Sequence, residues 1–258
     1  MREAKIIAVA NQKGGVGKTT TAINLGAALV EHGQRVAIID LDPQGNASTG
    51  LGIPAEARDL SAYDLLVGDH DLDSVLCDST VPGLRIVPSN RDLASADLEL
   101  AGRSGRTQLL RRKLHHITGF DVVLIDCPPA LGLLTVNAMV AADALLVPLQ
   151  AEFYALEGLS QLLMTVREVR QTANPDLRIE GVLLTMSDNR NNLSQQVEAD
   201  ARKTLSGLVY QTVIPRNVRL SEAPSHAIPV LQYDPQSKGS AAYRELAKEF
   251  LSRQLAAA

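Results

Sequence analysis

Gln12-Lys13-Gly14-Gly15-Val16-Gly17-Lys18-Thr19-Thr20 follows directly on the apolar run at 6–10. Closely spaced glycines let consecutive backbone N–H groups turn inward around an anion. A strand before such a loop and a helix after it make a phosphate cradle. In that layout Lys18 reaches the β- and γ-phosphates and the Thr19 hydroxyl ligates Mg²⁺. The usual spacing asks for a further glycine where this chain has Gln12, and the loop carries a second lysine, Lys13, instead. Two ammonium groups in one small loop repel each other unless a highly charged ligand, such as a triphosphate, lies between them. The whole loop, Lys13 through Thr20, is read as a nucleotide site.

Two acidic strand ends accompany it. Asp40-Leu41-Asp42-Pro43-Gln44-Gly45 closes the second apolar run, where a carboxylate can hold magnesium or orient a water for in-line attack. One residue separates the two aspartates, so along an extended chain they point to opposite sides and should not share a task. Asp40 is left to the metal shell or to a structural role. At 122–126 four apolar residues lead into Asp126, the Walker B pattern, whose carboxylate reaches Mg²⁺. That pattern is weak alone and strong beside the loop at 12–20.

The elements that must position these residues alternate along the chain. Short runs at 6–10, 36–39, 84–87, 122–125, 144–147, 181–184 and 209–214 read as strands, mostly apolar throughout, as parallel strands covered on both faces are. Helical patterns lie at 18–32, 107–118, 133–141, 157–172, 193–205 and 240–255. The expected fold is α/β: a doubly wound, mostly parallel sheet flanked by helices, with ligands at the carboxyl ends of the strands. Loops and short helices are expected over 45–103, with one strand near Leu84. No linker, repeat or low-complexity tract divides the 258 residues, so a single domain over 1–258 is expected.

Composition sets outer bounds. No apolar run approaches the ~20 residues of a membrane span, and the first strand begins too early to leave room for a signal peptide. Cys77 and Cys127 form no CxxC pair, so reduced thiols are expected rather than a disulfide or metal framework. His115 and His116 lack metal-site spacing and read as surface residues. A net charge of −4 excludes a globally basic nucleic-acid coat, so any DNA binding must come from a local patch.

The run Lys13–Thr20 resembles the deviant Walker A motif of the ParA/MinD family of P-loop ATPases. Two further stretches, 149–158 and 214–225, resemble its chromosomal ParA branch, and similarity covers most of the chain, least over 53–113. The resemblance implies a P-loop NTPase fold and an ATPase that forms an ATP-dependent homodimer, with Lys13 crossing the interface to the partner's nucleotide. It implies that Asp42 positions the attacking water, making Lys13, Lys18 and Asp42 the catalytic set. Thr19, Asp40 and Asp126 are the candidate metal residues. Adenine recognition is implied around Met186 and Pro215-Arg216-Asn217. No Asn-Lys-x-Asp base reader of the GTPase type is present, which favours ATP.

The same resemblance implies non-specific binding to double-stranded DNA as the ATP dimer, a ParB-like partner that stimulates slow hydrolysis, and a cytoplasmic, nucleoid-associated protein. Arg190, Arg202, Lys203, Arg216 and Arg219 are the candidate DNA contacts, and ordinary solvated helix charge is their alternative reading. A dimer would double such a patch. The cations at 103–113 form a second cluster with a stronger claim to be solvated helix flank. A MinD-like membrane-cycling ATPase is the first rival, and the residues at 250–258 make a poor amphipathic anchor. A cluster-bearing redox ATPase fails on the cysteines. A metabolic P-loop ligase or kinase stands on fold alone.

Overall fold

A strand that is apolar at every position must be covered on both faces. The computed structural model, which describes residues 4–152, 155–188 and 191–256, follows that rule. The strands are Lys5–Val9 (β1), Val36–Asp40 (β2), Cys77–Asp78 (β3), Leu84–Val87 (β4), Val122–Asp126 (β5), Ala144–Gln150 (β6) and Arg178–Thr185 (β7). They form one sheet in the order β3-β4-β2-β5-β1-β6-β7. Only β3 runs antiparallel to its neighbour.

Alternate residues of β1 part company: Ile6 and Ala8 enter one hydrophobic cluster, Ile7 and Val9 the other. β5 divides likewise, Val123 and Ile125 against Val122 and Leu124. On one face Leu25, Ala28 and Leu29 of the helix Lys18–Glu31 meet Tyr243, Leu246 and Phe250 of the helix Lys238–Ala256. On the other, helices Leu109–Leu114, Leu133–Ala141, Ala155–Thr172 and Asn192–Thr204 supply Leu110, Met139, Leu162 and Ala201. The sheet is therefore doubly wound. Chain direction across it reverses around β1, which is where such folds collect ligands.

Two strand expectations need correction. The segment 209–214 forms no strand: it meets β7 at an isolated bridge, Val182 to Val209, and through the N–H groups of Tyr210 and Ile214, which donate to the carbonyls of Val182 and Leu184 at 2.9 Å each. The reason lies in the C-terminal helix. Glu249 accepts the N–H groups of Gln211 and Thr212 at 2.8 Å each, so those amides are withdrawn from the ladder. Conversely, β3 is a real edge strand that two residues were too few to announce. The helix expected over 107–118 is shorter, Leu109–Leu114 after a 3₁₀ turn, because His115 turns extended and His116 takes a φ of +60°. No helix among the described residues is long and apolar enough to cross a membrane.

Candidate nucleotide and metal site

Beyond β1 the chain is fastened from two sides. Asn11 donates its side-chain amide to the Pro148 carbonyl at 2.7 Å and accepts the Lys13 N–H at 3.0 Å. Thr185, ending β7, donates its hydroxyl to the Val16 carbonyl at 2.8 Å. Gly15 and Gly17 lie at φ of +73° and +88°, where a side chain would strain the backbone. The helix Lys18–Glu31 starts at Gly17 with no side-chain cap and no acidic residue in its first turn. Among the described residues no side chain caps its leading amides, and its dipole favours an anion there.

The two lysines of the loop part ways. Lys18 is buried, and its ammonium donates to the Lys13 carbonyl at 2.9 Å. Burial lowers its pKa, and the field of Asp126, followed by those of Cys127 and Asp42, works in the opposite direction. Lys13 is half exposed, its ammonium 2.8 Å from Glu152 on the outside of the loop. A Cβ at Gly14 would meet nothing among the described residues closer than Pro129 at 3.9 Å, an ordinary contact that does not demand glycine there.

Strand register sets the carboxylates. Asp126 of β5 stands level with Asp40 of β2 and with Val9 of β1, so Asp40 and Asp126 lie side by side one strand spacing apart. Both are fully buried. Neither oxygen of Asp126 accepts a hydrogen bond; Thr19 lies near enough to ease the charge without closing one. Burial, reinforced by Asp40, pushes the Asp126 carboxyl well above the usual carboxylate range. An orphaned buried carboxylate beside a threonine hydroxyl is a hard oxygen set that suits Mg²⁺.

Asp40 is committed otherwise. Its Oδ2 accepts the Ser48 N–H at 2.9 Å and the Ser48 hydroxyl at 2.7 Å, and its Oδ1 accepts the Asp42 N–H at 3.1 Å. Of the two roles left open for it, the structural one fits these bonds. Burial still pushes its carboxyl up to about 6 against the help of Ser48. Asp42, two residues further on, accepts the Gln44 N–H on Oδ1 at 3.0 Å. Its Oδ2 takes no hydrogen bond from the described residues. Cys127 is buried beside Asp126, and burial raises its thiol pKa, as suits a small strand-end residue.

A cavity of about 340 Å³ opens beside the loop, bounded by Gly17, Thr20, Met186, Pro215, Arg216, Asn217 and Tyr243. The expected base-binding residues are thus brought together next to the phosphate loop. Met186 holds a φ of +53°. The side-chain Oδ1 of Asn217 caps the helix Val218–Glu222 by accepting the Arg219 N–H at 2.9 Å. Tyr243 and Thr185 also line this wall. Neither carries a sequence signal, since their partners lie far along the chain.

The basic candidates are dispersed by function. Arg202 pairs with Glu198 at 2.9 Å and donates to the carbonyls of Tyr210 and Gln211, so it braces the fold. Arg219 pairs with Glu222 at 2.8 Å and Asp234 at 3.2 Å. Lys203 and Arg216 are exposed. Arg190 lies outside the described residues.

Comparison with known proteins places this geometry. A family model described as an AAA domain matches residues 4–179. The sporulation initiation inhibitor protein Soj of Bacillus subtilis is 53% identical over 246 residues, covering 95% of this chain and 97% of that protein. The chromosome partitioning protein ParA of Caulobacter vibrioides is 53% identical over 253 residues, covering 97% and 95%. Among solved structures, that of cobyrinic acid a,c-diamide synthase from Mycobacterium smegmatis, with bound ADP and magnesium, is 40% identical with a TM-score of 0.86. The match covers 99% of this chain and 97% of that one.

Proposed function

The chain belongs to the ParA/MinD family of P-loop ATPases, among its Soj and ParA partitioning members, and from that membership we propose an Mg²⁺-dependent ATPase that dimerises around ATP and then binds DNA. One observation carries the ATPase reading: Lys18 and the unpartnered carboxylate of Asp126 converge on the mouth of a glycine loop built for phosphate. Loop amides and Lys18 hold the phosphates, and Thr19 and Asp126 hold the metal. Mg²⁺, when bound, neutralises charge on the phosphates as the terminal bond breaks. Asp42 accepts a hydrogen bond from the attacking water and aligns it.

Lys13 supports the dimer. Its ammonium sits on the outer side of its own loop, paired with Glu152, and the small Gly14 leaves that surface open to close approach. A second chain would offer phosphate charge in exchange for Glu152. The DNA surface is drawn from Lys203, Arg216 and Arg219, acting through the phosphate backbone, and a ParB-like protein stimulates slow turnover on the nucleoid. A ligase reading has one observation in its favour, the name of the 40%-identical Mycobacterium smegmatis protein.

Duplex binding measured with no nucleotide, ADP, or Mg·ATP across a salt series separates the two. The expected result is binding to arbitrary sequence with Mg·ATP only, falling steeply with salt. Arg219→Ala should weaken binding to all sequences alike and lower the salt slope by about one. Gly14→Val should bind ATP yet stay monomeric by light scattering. Indifference to DNA under every nucleotide would overturn the partitioning role and favour the ligase.

A further inference from the structure

Arg58 is a buried cation in the least regular part of the chain, 7% exposed, with no carboxylate of the described residues in salt-bridge contact. Its guanidinium is nonetheless held at all three nitrogens. Nε and Nη2 donate to the Ile53 carbonyl at 3.1 and 2.7 Å, Nη1 to the Ser89 carbonyl at 3.1 Å, and Nη2 to the Thr49 hydroxyl at 2.7 Å. Burial lowers its pKa, while the field of Asp40 holds it charged. A planar fork that ties three neutral acceptors together has a geometric use that a lysine could not supply.

What it ties is the loop that carries Asp42. Thr49 passes the restraint on by donating to the Gly45 carbonyl at 3.1 Å. Gly45 returns it to Asp42, whose carbonyl accepts the Gly45 N–H at 2.8 Å. On the other side, the Ser89 N–H donates to the Ser48 hydroxyl at 2.9 Å, Ser48 to Asp40, and Asp40 accepts the Asp42 N–H. The turn 42–45 is thus suspended at both ends from one buried network, and Arg58 joins the two branches. Gly45 is part of the fit. It has a φ of +64°, and a Cβ there would stand 2.1 Å from Nη1 of Arg58 and 2.9 Å from the Ser89 carbonyl.

The geometry points to Arg58 as a positioning residue for hydrolysis, which fixes the Asp42 carboxylate by holding the turn 42–45 from behind. The inference rests on Asp42 being the residue that aligns water. It requires the cation to act on the chemical step and not on nucleotide binding, because every contact of Arg58 lies behind the turn, away from Lys18 and the base cavity. A chain that lost the fork would keep its phosphate loop and let the Asp42 turn drift, and hydrolysis is sensitive to small misplacement.

Single-turnover hydrolysis of Mg·ATP by the full chain tests this, alongside equilibrium affinity for Mg·ATP, both at a temperature well below the melting point of every variant. Arg58→Met and Arg58→Lys should each slow hydrolysis about tenfold or more and leave affinity within about twofold of wild type. Gly45→Ala, which drives a methyl into the guanidinium, should slow it similarly. Because both changes break one restraint, the double variant should be no slower than the slower single variant. Unchanged hydrolysis in Arg58→Met, multiplied effects in the double variant, or parallel losses of affinity and rate would each overturn the role. Asp42→Ala, which should bind Mg·ATP and fail to turn it over, is the control. If Asp42→Ala still hydrolyses normally, the fault lies with the water-aligning role of Asp42. If it is inactive while Arg58→Met is normal, the fault lies with Arg58 alone.

Discussion

Lys18→Ala lowers affinity for Mg·ATP by about a hundredfold to a few thousandfold and leaves the fold intact. Removing one member of a buried charged interaction costs about 3–5 kcal/mol, and each factor of ten in affinity is about 1.4 kcal/mol. The lysine is already placed for its ligand: buried, aimed along the loop by the Lys13 carbonyl, and with its charge supported by Asp126. Little ordering is left to be done when a triphosphate arrives, so most of the interaction is realised as affinity. Alanine at the first position of the helix Lys18–Glu31 is a good helix former, which separates loss of binding from loss of structure. Isothermal titration with circular dichroism on the same samples checks both halves. Affinity within threefold of wild type would remove Lys18 from the phosphates, and with it the reading of the loop at 12–20.

The phosphate loop is legible in sequence because its chemistry is local. Glycines that must adopt positive φ and the lysine they surround fall within six residues, and Gly15 and Gly17 do take that conformation. Asp126 is legible for a similar reason, since an apolar strand ending in a carboxylate brings that group to the sheet's carboxyl edge. Asp40 and Asp42 take different hydrogen-bond partners, but those of Asp40 cannot be read locally. Its partners are Ser48 and, through it, Ser89 and Arg58, which the fold brings together from the ends of β2 and β4. Long-range acceptors explain the other departures too. Glu249 takes the amides of Gln211 and Thr212, and the carbonyls of Tyr210 and Gln211 take Arg202. A basic residue in a helix pattern looks alike whether it faces a phosphate or a carbonyl of its own chain.

Asp126→Asn should make the metal-free protein more stable at pH 7.5 while abolishing its stabilisation by Mg·ATP. The side chain is fully buried, neither oxygen is hydrogen-bonded, and Asp40 stands level with it on the next strand. A buried acceptor left without a partner costs about 1–3 kcal/mol, and an ionised one beside another carboxylate sits at the upper end. A neutral amide removes that charge and offers Asp40 a donor, so a gain of about 1–3 kcal/mol is expected. That corresponds to a melting temperature higher by roughly 2–4 °C for each kcal/mol. The pH dependence has a definite sign. An acid held above its ordinary range in the folded chain binds its proton more tightly folded than unfolded, so its stabilising effect is present at low pH and lost as pH rises. For Asp40 the loss runs from the ordinary value of 3.8 up to about 6, and for Asp126, raised by burial and then by Asp40, it has the same sign. Wild type in chelator should therefore lose stability as pH rises from 3.8 through about 6, and the asparagine variant should lose less. Adding Mg·ATP should reverse the order of the two proteins, because only the carboxylate gains a cation. Denaturant unfolding at several pH values, with chelator and with Mg·ATP, measures each comparison. An asparagine variant less stable than wild type in chelator at pH 7.5 would mean that the carboxylate already has a partner inside the chain, and would take from it the role of metal ligand.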